Sequence, residues 1–148
     1  MLKPKIYLDM CCFNRPYDEQ SQLKIEIETK AKLFIQRMVL EQRLDLVWSY
    51  MLDYENSRSN FRQKQSAIQR WQALAIEDID ETPEIVLLAE KIQKTGLKSA
   101  DSLHVACAIS MGCDYFISVD RRLLKYCDNR IALCDPIEFI RIWEDAAK

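Results

Sequence analysis

Four short apolar runs, at residues 6–8, 44–48, 115–117 and 131–133, are separated by longer segments whose apolar residues recur at helical spacing. Runs this short, apolar without polar alternation, read as strands buried on both faces. Such strands joined through helices build a parallel sheet covered on each side. The expected fold class is therefore α/β: a three-layer α/β/α domain around a central parallel sheet of four to five strands. The chain holds only two glycines in 148 residues. Sparse turns favour long helices with short connections and exclude an all-β sandwich. No repeat, low-complexity segment or linker interrupts the pattern, so one domain over residues 1–148 is expected.

The first strand ends at Asp9 and is followed by a loop over residues 10–18, marked by Asn14, Arg15 and Pro16. A long helix is expected over residues 19–40, with Ile25, Ala31, Phe34, Ile35 and Met38 on its apolar face. Ser49 is placed to cap the helix after the second strand, which carries Met51, Leu52, Tyr54 and Glu55. A polar helical stretch covers residues 58–70, and residues 76–79 read as a short edge segment. Pro83 opens the next helix and Gly96 ends it. Ser99 is a candidate cap for the helix through Asp101, His104 and Ala108. Asp120 starts a short helix through Leu123 and Leu124. Pro136 opens a closing helix with Phe139, Ile140 and Trp143.

No apolar run reaches the roughly 18–20 residues that a membrane span needs, and the N-terminus shows no signal-peptide core, so a cytoplasmic protein is expected. Cys11 and Cys12 are adjacent, and Cys107, Cys113, Cys127 and Cys134 form no C-x-x-C pair, so all six read as free thiols. The net charge of −2 is not the strong positive balance of many nucleic-acid binders, which makes the distribution of charge more informative than its sum.

Ligands of open parallel sheets bind outside the carboxyl ends of the strands. Asp9 follows the first strand directly, Asp120 comes just after the third, and Glu55 lies about two turns into the helix leaving the second. Asp101 falls in the first turn of its helix, where free N–H groups favour an ionised carboxylate. At about 4–5 Å apart, each like-charge pair would cost roughly 3–4 kcal/mol at an effective dielectric of about 20. Such a cluster calls for a cation, and oxygen donors favour Mg²⁺ or Mn²⁺ over zinc. Each acid alone also reads as an ordinary strand-end or helix cap.

The segments Ile6-Tyr7-Leu8-Asp9, Ser49-Tyr50-Met51-Leu52-Asp53-Tyr54-Glu55, Ser99-Ala100-Asp101-Ser102-Leu103-His104 and Tyr115-Phe116-Ile117-Ser118-Val119-Asp120, in this order and spacing, resemble the PIN-domain nucleases over essentially the whole chain. The resemblance implies a Mg²⁺- or Mn²⁺-dependent endoribonuclease cutting RNA phosphodiester bonds. Such nucleases are often the toxin of a bacterial toxin–antitoxin pair (VapC-like), with an antitoxin protein and a homodimer as possible partners. It also implies that Asp9, Glu55, Asp101 and Asp120 are the catalytic and metal-binding residues. The family spacing favours Glu55 over its rival Asp53. Where the family often has Asn or Ser two positions after the first acid, this chain has Cys11, a poor oxygen substitute for Mg²⁺.

Around these acids, His104 borders the core and reads as structural, with proton assistance or phosphate contact as its functional alternative. Ser118 is placed either to orient a metal-bound water or to satisfy backbone. Arg15, Arg121, Arg122 and Lys125 flank the acids as candidate phosphate contacts, and the 58–70 stretch extends that path. Trp48, Trp71 and Trp143 read as core or dimer surface. Two other classes stay open. One is a catalytically inactive RNA- or protein-binding module of the same fold. The other is an Asp-nucleophile phosphatase or phosphotransfer domain, which wants a second Asp where Cys11 stands.

Overall fold

The structure is a computed structural model that describes residues 3–146. Strand β1 (Lys5–Leu8) leads into the short helix α1 (Met10–Asn14), a 3-10 turn at Arg15–Tyr17 and the long helix α2 (Leu23–Leu40). Then follow β2 (Asp45–Ser49), α3 (Tyr50–Ser57), α4 (Arg62–Gln69), β3 (Glu77–Ile79), α5 (Pro83–Gln93) and α6 (Ser99–Ser110). The chain closes with β4 (Tyr115–Ile117), β5 (Ala132–Cys134) and α7 (Pro136–Ala146). The five strands are all parallel, in the order β3-β2-β1-β4-β5. Helices cover both faces, giving the three-layer α/β/α arrangement.

Side-chain alternation along the strands assigns the layers. Tyr7 and Phe116, register partners in β1 and β4, stack at 5.0 Å between centroids on the face that carries α6. Tyr115 instead meets Phe139 of α7 on the other face. Trp48, Tyr7, Phe13, Phe116 and Phe139 are among the largest fully buried side chains, and they anchor a core built around the sheet.

Several local expectations are revised. The 10–18 segment is largely helical, because the Asp9 carboxylate accepts from the Met10 N–H and so caps α1. α2 starts at Leu23, later than expected. Ser99 is the first helical residue of α6, and Lys98 holds the cap position without a side-chain bond. Asp120 does not open a helix: its Oδ1 accepts from the N–H groups of Arg122 and Leu123, and the 3-10 turn begins only at Leu123. Both glycines sit just beyond helix ends with positive φ, Gly96 at 114° and Gly112 at 70°, where an L side chain would be strained. No helix among the described residues is long and apolar enough to cross a membrane.

The topology fixes where a site can form. The chain steps from β1 outward to β2 and β3, then returns to the other side of β1 with β4. With right-handed crossovers, this reversal puts a switch point between the carboxyl ends of β1 and β4. The Asp9 N–H donates to the Ile117 carbonyl at 2.9 Å, which pins the residue after β1 against the end of β4.

Candidate metal site

At that switch point lies an open cleft of about 390 Å³ lined by Asp9, Met10, Cys11, Asn14, Glu55, Arg58, Asp101 and Asp120. All four acids singled out from the sequence line this one cleft, although they come from the residue after β1, from α3, from α6 and from the segment after β4. Among the described residues, the larger hollows elsewhere hold no such set of carboxylates.

Asp9 is nearly buried and tightly held. Its Oδ1 accepts from the Met10 N–H at 2.9 Å, and its Oδ2 accepts from the Ser118 hydroxyl at 2.8 Å and the Cys11 thiol at 3.4 Å. Ser118 is fully buried and also accepts from the Asp120 N–H at 3.1 Å. One hydroxyl therefore ties the acid after β1 to the acid after β4. Ser118 thus bonds both a backbone group and a site carboxylate.

Glu55 is held by a relay that runs through the core. Ser49 caps α3 by accepting from the Leu52 N–H, and its hydroxyl lies 2.6 Å from the Tyr7 hydroxyl. Tyr7 in turn lies 2.5 Å from His104 Nδ1, and His104 Nε2 lies 2.8 Å from Glu55 Oε1. An ionised carboxylate only accepts, so Nε2–H donates to Glu55. In the neutral ring Nδ1 then accepts from the Tyr7 hydroxyl, which accepts from Ser49. Burial of His104 pushes its pKa down, but the hydrogen bond to Glu55 and the charges of Asp9, Glu55 and Asp101 outweigh it and raise it overall. His104 is 1% exposed, which removes it from direct phosphate contact.

Donor atoms of Asp9, Glu55 and His104 lie within 4.8 Å of one another, a spacing that suits a metal ion. Because Nε2–H is committed to Glu55, His104 is better described as positioning that carboxylate than as a ligand. Asp101 and Asp120 are not part of this tight triplet, so the expected 4–5 Å convergence of four acids is met only in part. Their charges still meet in the cleft. The Asp101 carboxyl is raised above its usual range by burial first and then by the charges of Asp9 and Asp120, against the opposing pull of His104 and Lys98. Oxygen donors crowded at a strand-end switch point fit a hard divalent cation.

Other expected contacts lie elsewhere. Arg15 is engaged by Glu28 Oε1 at 3.0 Å and Asp18 Oδ2 at 2.7 Å and does not line the cleft, because the fully buried Glu28 requires a cation beside it. Arg121 pairs with Asp135 at 3.4 Å, also outside the cleft. Asp53 accepts from Trp48 Nε1 at 2.9 Å and Gln69 Nε2 at 2.8 Å, which leaves Glu55 as the acid of α3 in the site. Sequence reasoning missed Tyr7 as part of the relay. The signal was present, since a Tyr inside a wholly buried strand needs a partner for its hydroxyl. It also missed Asn14 as a cleft residue, having assigned its segment to an irregular loop.

The PIN domain family profile matches residues 6–129. The chain belongs to the PIN domain family. Two solved structures share the fold of this PIN domain. One is VapBC from Salmonella typhimurium bound to DNA, with a TM-score of 0.58 and 15% identity over 92% of this chain and 99% of that one. The other is VapBC2 from Rickettsia felis bound to a DNA fragment from its promoter, with a TM-score of 0.55 and 11% identity over 87% of this chain and 96% of that one. Among curated proteins, no sequence matches the chain.

Proposed function

We propose that this PIN domain is a divalent-metal-dependent endoribonuclease that hydrolyses RNA phosphodiester bonds in the cytoplasm. The observation that carries the reading is the single cleft at the β1/β4 switch point, into which Asp9, Glu55, Asp101 and Asp120 all converge. Asp9, Asp101 and Asp120 are the residues that would hold the ion, directly or through water, and Glu55 completes the negative pocket. All four donors are oxygen, which favours Mg²⁺ or Mn²⁺. When bound, such a cation supplies the positive charge that acidifies a water and neutralises charge building on the phosphodiester.

The chain's own residues do the remaining work. Ser118 fixes Asp9 and Asp120 in register. The Ser49–Tyr7–His104 relay holds Glu55 in one orientation, so that less side-chain freedom is lost when a ligand arrives. Arg58, the one basic residue among the described residues that line the cleft, is a candidate contact for a phosphate.

Both structural neighbours are chains from VapBC complexes. By likeness to those complexes, the reading extends to a toxin role with an antitoxin protein as partner. The direct test is cleavage of a labelled single-stranded RNA by the purified protein. Strand scission in Mg²⁺ or Mn²⁺ that stops in EDTA and returns with added metal is expected. Scission of equal rate in EDTA, or none in any divalent metal, would reject the proposal.

A further inference from the structure

The acidic cleft does not end at its own rim. Met10, Asn14, Glu55 and Arg58 also line an adjoining hollow of about 270 Å³, whose far wall is Phe61 and Lys64. Phe61 and Lys64 in turn line a third hollow of about 480 Å³ with Tyr17 and Gln63. Three hollows that share their walls form one groove, leading from the acids along α3 and the start of α4.

The groove has an unusual surface. Phe61 is 69% exposed and Tyr17 50% exposed. Phe61 also occupies the N-cap position of α4, where it makes no side-chain cap, although an oxygen-bearing residue there would stabilise the helix. Neither burial nor capping accounts for the ring. Beside the two rings stand two cations. Lys64 lies over the Tyr17 ring at 5.9 Å, and Arg58 is steadied by the Tyr54 ring at 5.6 Å and its hydroxyl at 2.7 Å. Among the described residues, neither cation pairs with a carboxylate, and the one acid lining the two adjoining hollows, Glu55, also lines the cleft.

Resting on the nuclease reading above, we infer that this groove is the path of single-stranded RNA into the cleft, with Phe61 and Tyr17 stacking unpaired bases and Arg58 and Lys64 holding the flanking phosphates. Exposed rings alternating with unpaired cations along a groove are the features that bind single strands without reading sequence. A duplex keeps its bases stacked on each other and has no face to offer the rings. The groove thus selects single-stranded substrate, upstream of the chemistry.

The test reads binding rather than cleavage. A fluorescein-labelled oligouridylate of about ten nucleotides is titrated by anisotropy into Asp101→Asn protein, so that hydrolysis does not interfere. Phe61→Ala in that background is expected to weaken binding about tenfold and Tyr17→Ala about fivefold. Phe61→Trp should retain affinity, and Phe61→Leu should not, which separates stacking from general apolar contact. Arg58→Ala and Lys64→Ala should each reduce the slope of affinity against salt by about one. Unchanged affinity in Phe61→Ala, or full rescue by Phe61→Leu, overturns the inference and leaves the groove to an apolar peptide. Ring-dependent binding by a protein that never cleaves would reject the nuclease reading alone. Cleavage with ring-independent binding would reject the groove alone.

Discussion

Replacing Asp9 by Asn should lower RNA cleavage by more than about a hundredfold, the upper end of what even an outer-shell change costs a metal site, with the fold intact. The expectation follows from how the side chain is held. Asn keeps the shape of Asp and one acceptor oxygen, so the Met10 N–H keeps its cap. The amide nitrogen that takes the place of Oδ2 can donate to Ser118, whose hydroxyl is free to rotate. The charge is lost, along with the weak Cys11 thiol bond to Oδ2, at a carboxylate with an oxygen within 4.8 Å of Glu55. Turnover measured at saturating RNA, beside a thermal melt of the same preparation, checks both halves. A well-folded variant with activity within a few-fold of the parent would contradict the assigned role.

The second large effect is on stability. Replacing Lys32 by Met is expected to stabilise the protein by about 3 kcal/mol at pH 7. Lys32 is 3% exposed, makes no ion pair among the described residues, and has only the Phe13 ring at 5.4 Å beside its ammonium. Burial lowers its pKa to about 8, against the small raising effect of Cys12. An unfolded Lys titrates near roughly 10.4. Between these values the unfolded chain binds more protons than the folded one, so stability rises with pH across that window. Below about pH 8 both states are protonated and the whole cost of the buried charge is present. The advantage of Lys32→Met in urea unfolding should therefore be largest at pH 7 and fall below about 1 kcal/mol at pH 10. An advantage independent of pH, or none, would show that the ammonium reaches water.

Lys32 also marks where the sequence was hardest to read. Apolar spacing along α2 correctly placed Ala31, Ile35 and Met38 inward. It gave no hint that Glu28, Lys32 and Gln36, at successive four-residue steps, are buried as well, or that Leu23, Ile27 and Leu33 face outward. The reason is tertiary: Glu28 is drawn inward by Arg15 from the turn after α1, a segment expected to be an irregular loop. The same contact removed Arg15 from the list of phosphate ligands. Partner choice among charged side chains depends on distances that spacing along one helix does not contain.

The sheet was more legible. Short apolar runs with no polar alternation have few other homes, so strand positions were read to within about one residue, a usual margin for element ends. β3, whose residues Glu77 and Asp78 are exposed, was visible only as an edge segment. The acids were legible for a related reason. Residues directly after parallel strands must emerge at one edge, so Asp9 and Asp120 were bound to be neighbours if β1 and β4 were. That adjacency, and the relay through Tyr7 and His104 that aims Glu55, required the fold.

Whether these carboxylates form one cation site can be read from a crystal soaked in MnCl₂, through the anomalous signal of manganese. A peak is expected within the cleft against Asp9 together with Asp101 or Asp120, lost in Asp9→Asn. A cleft without manganese at saturating metal, or an ion bound by other residues, would contradict it.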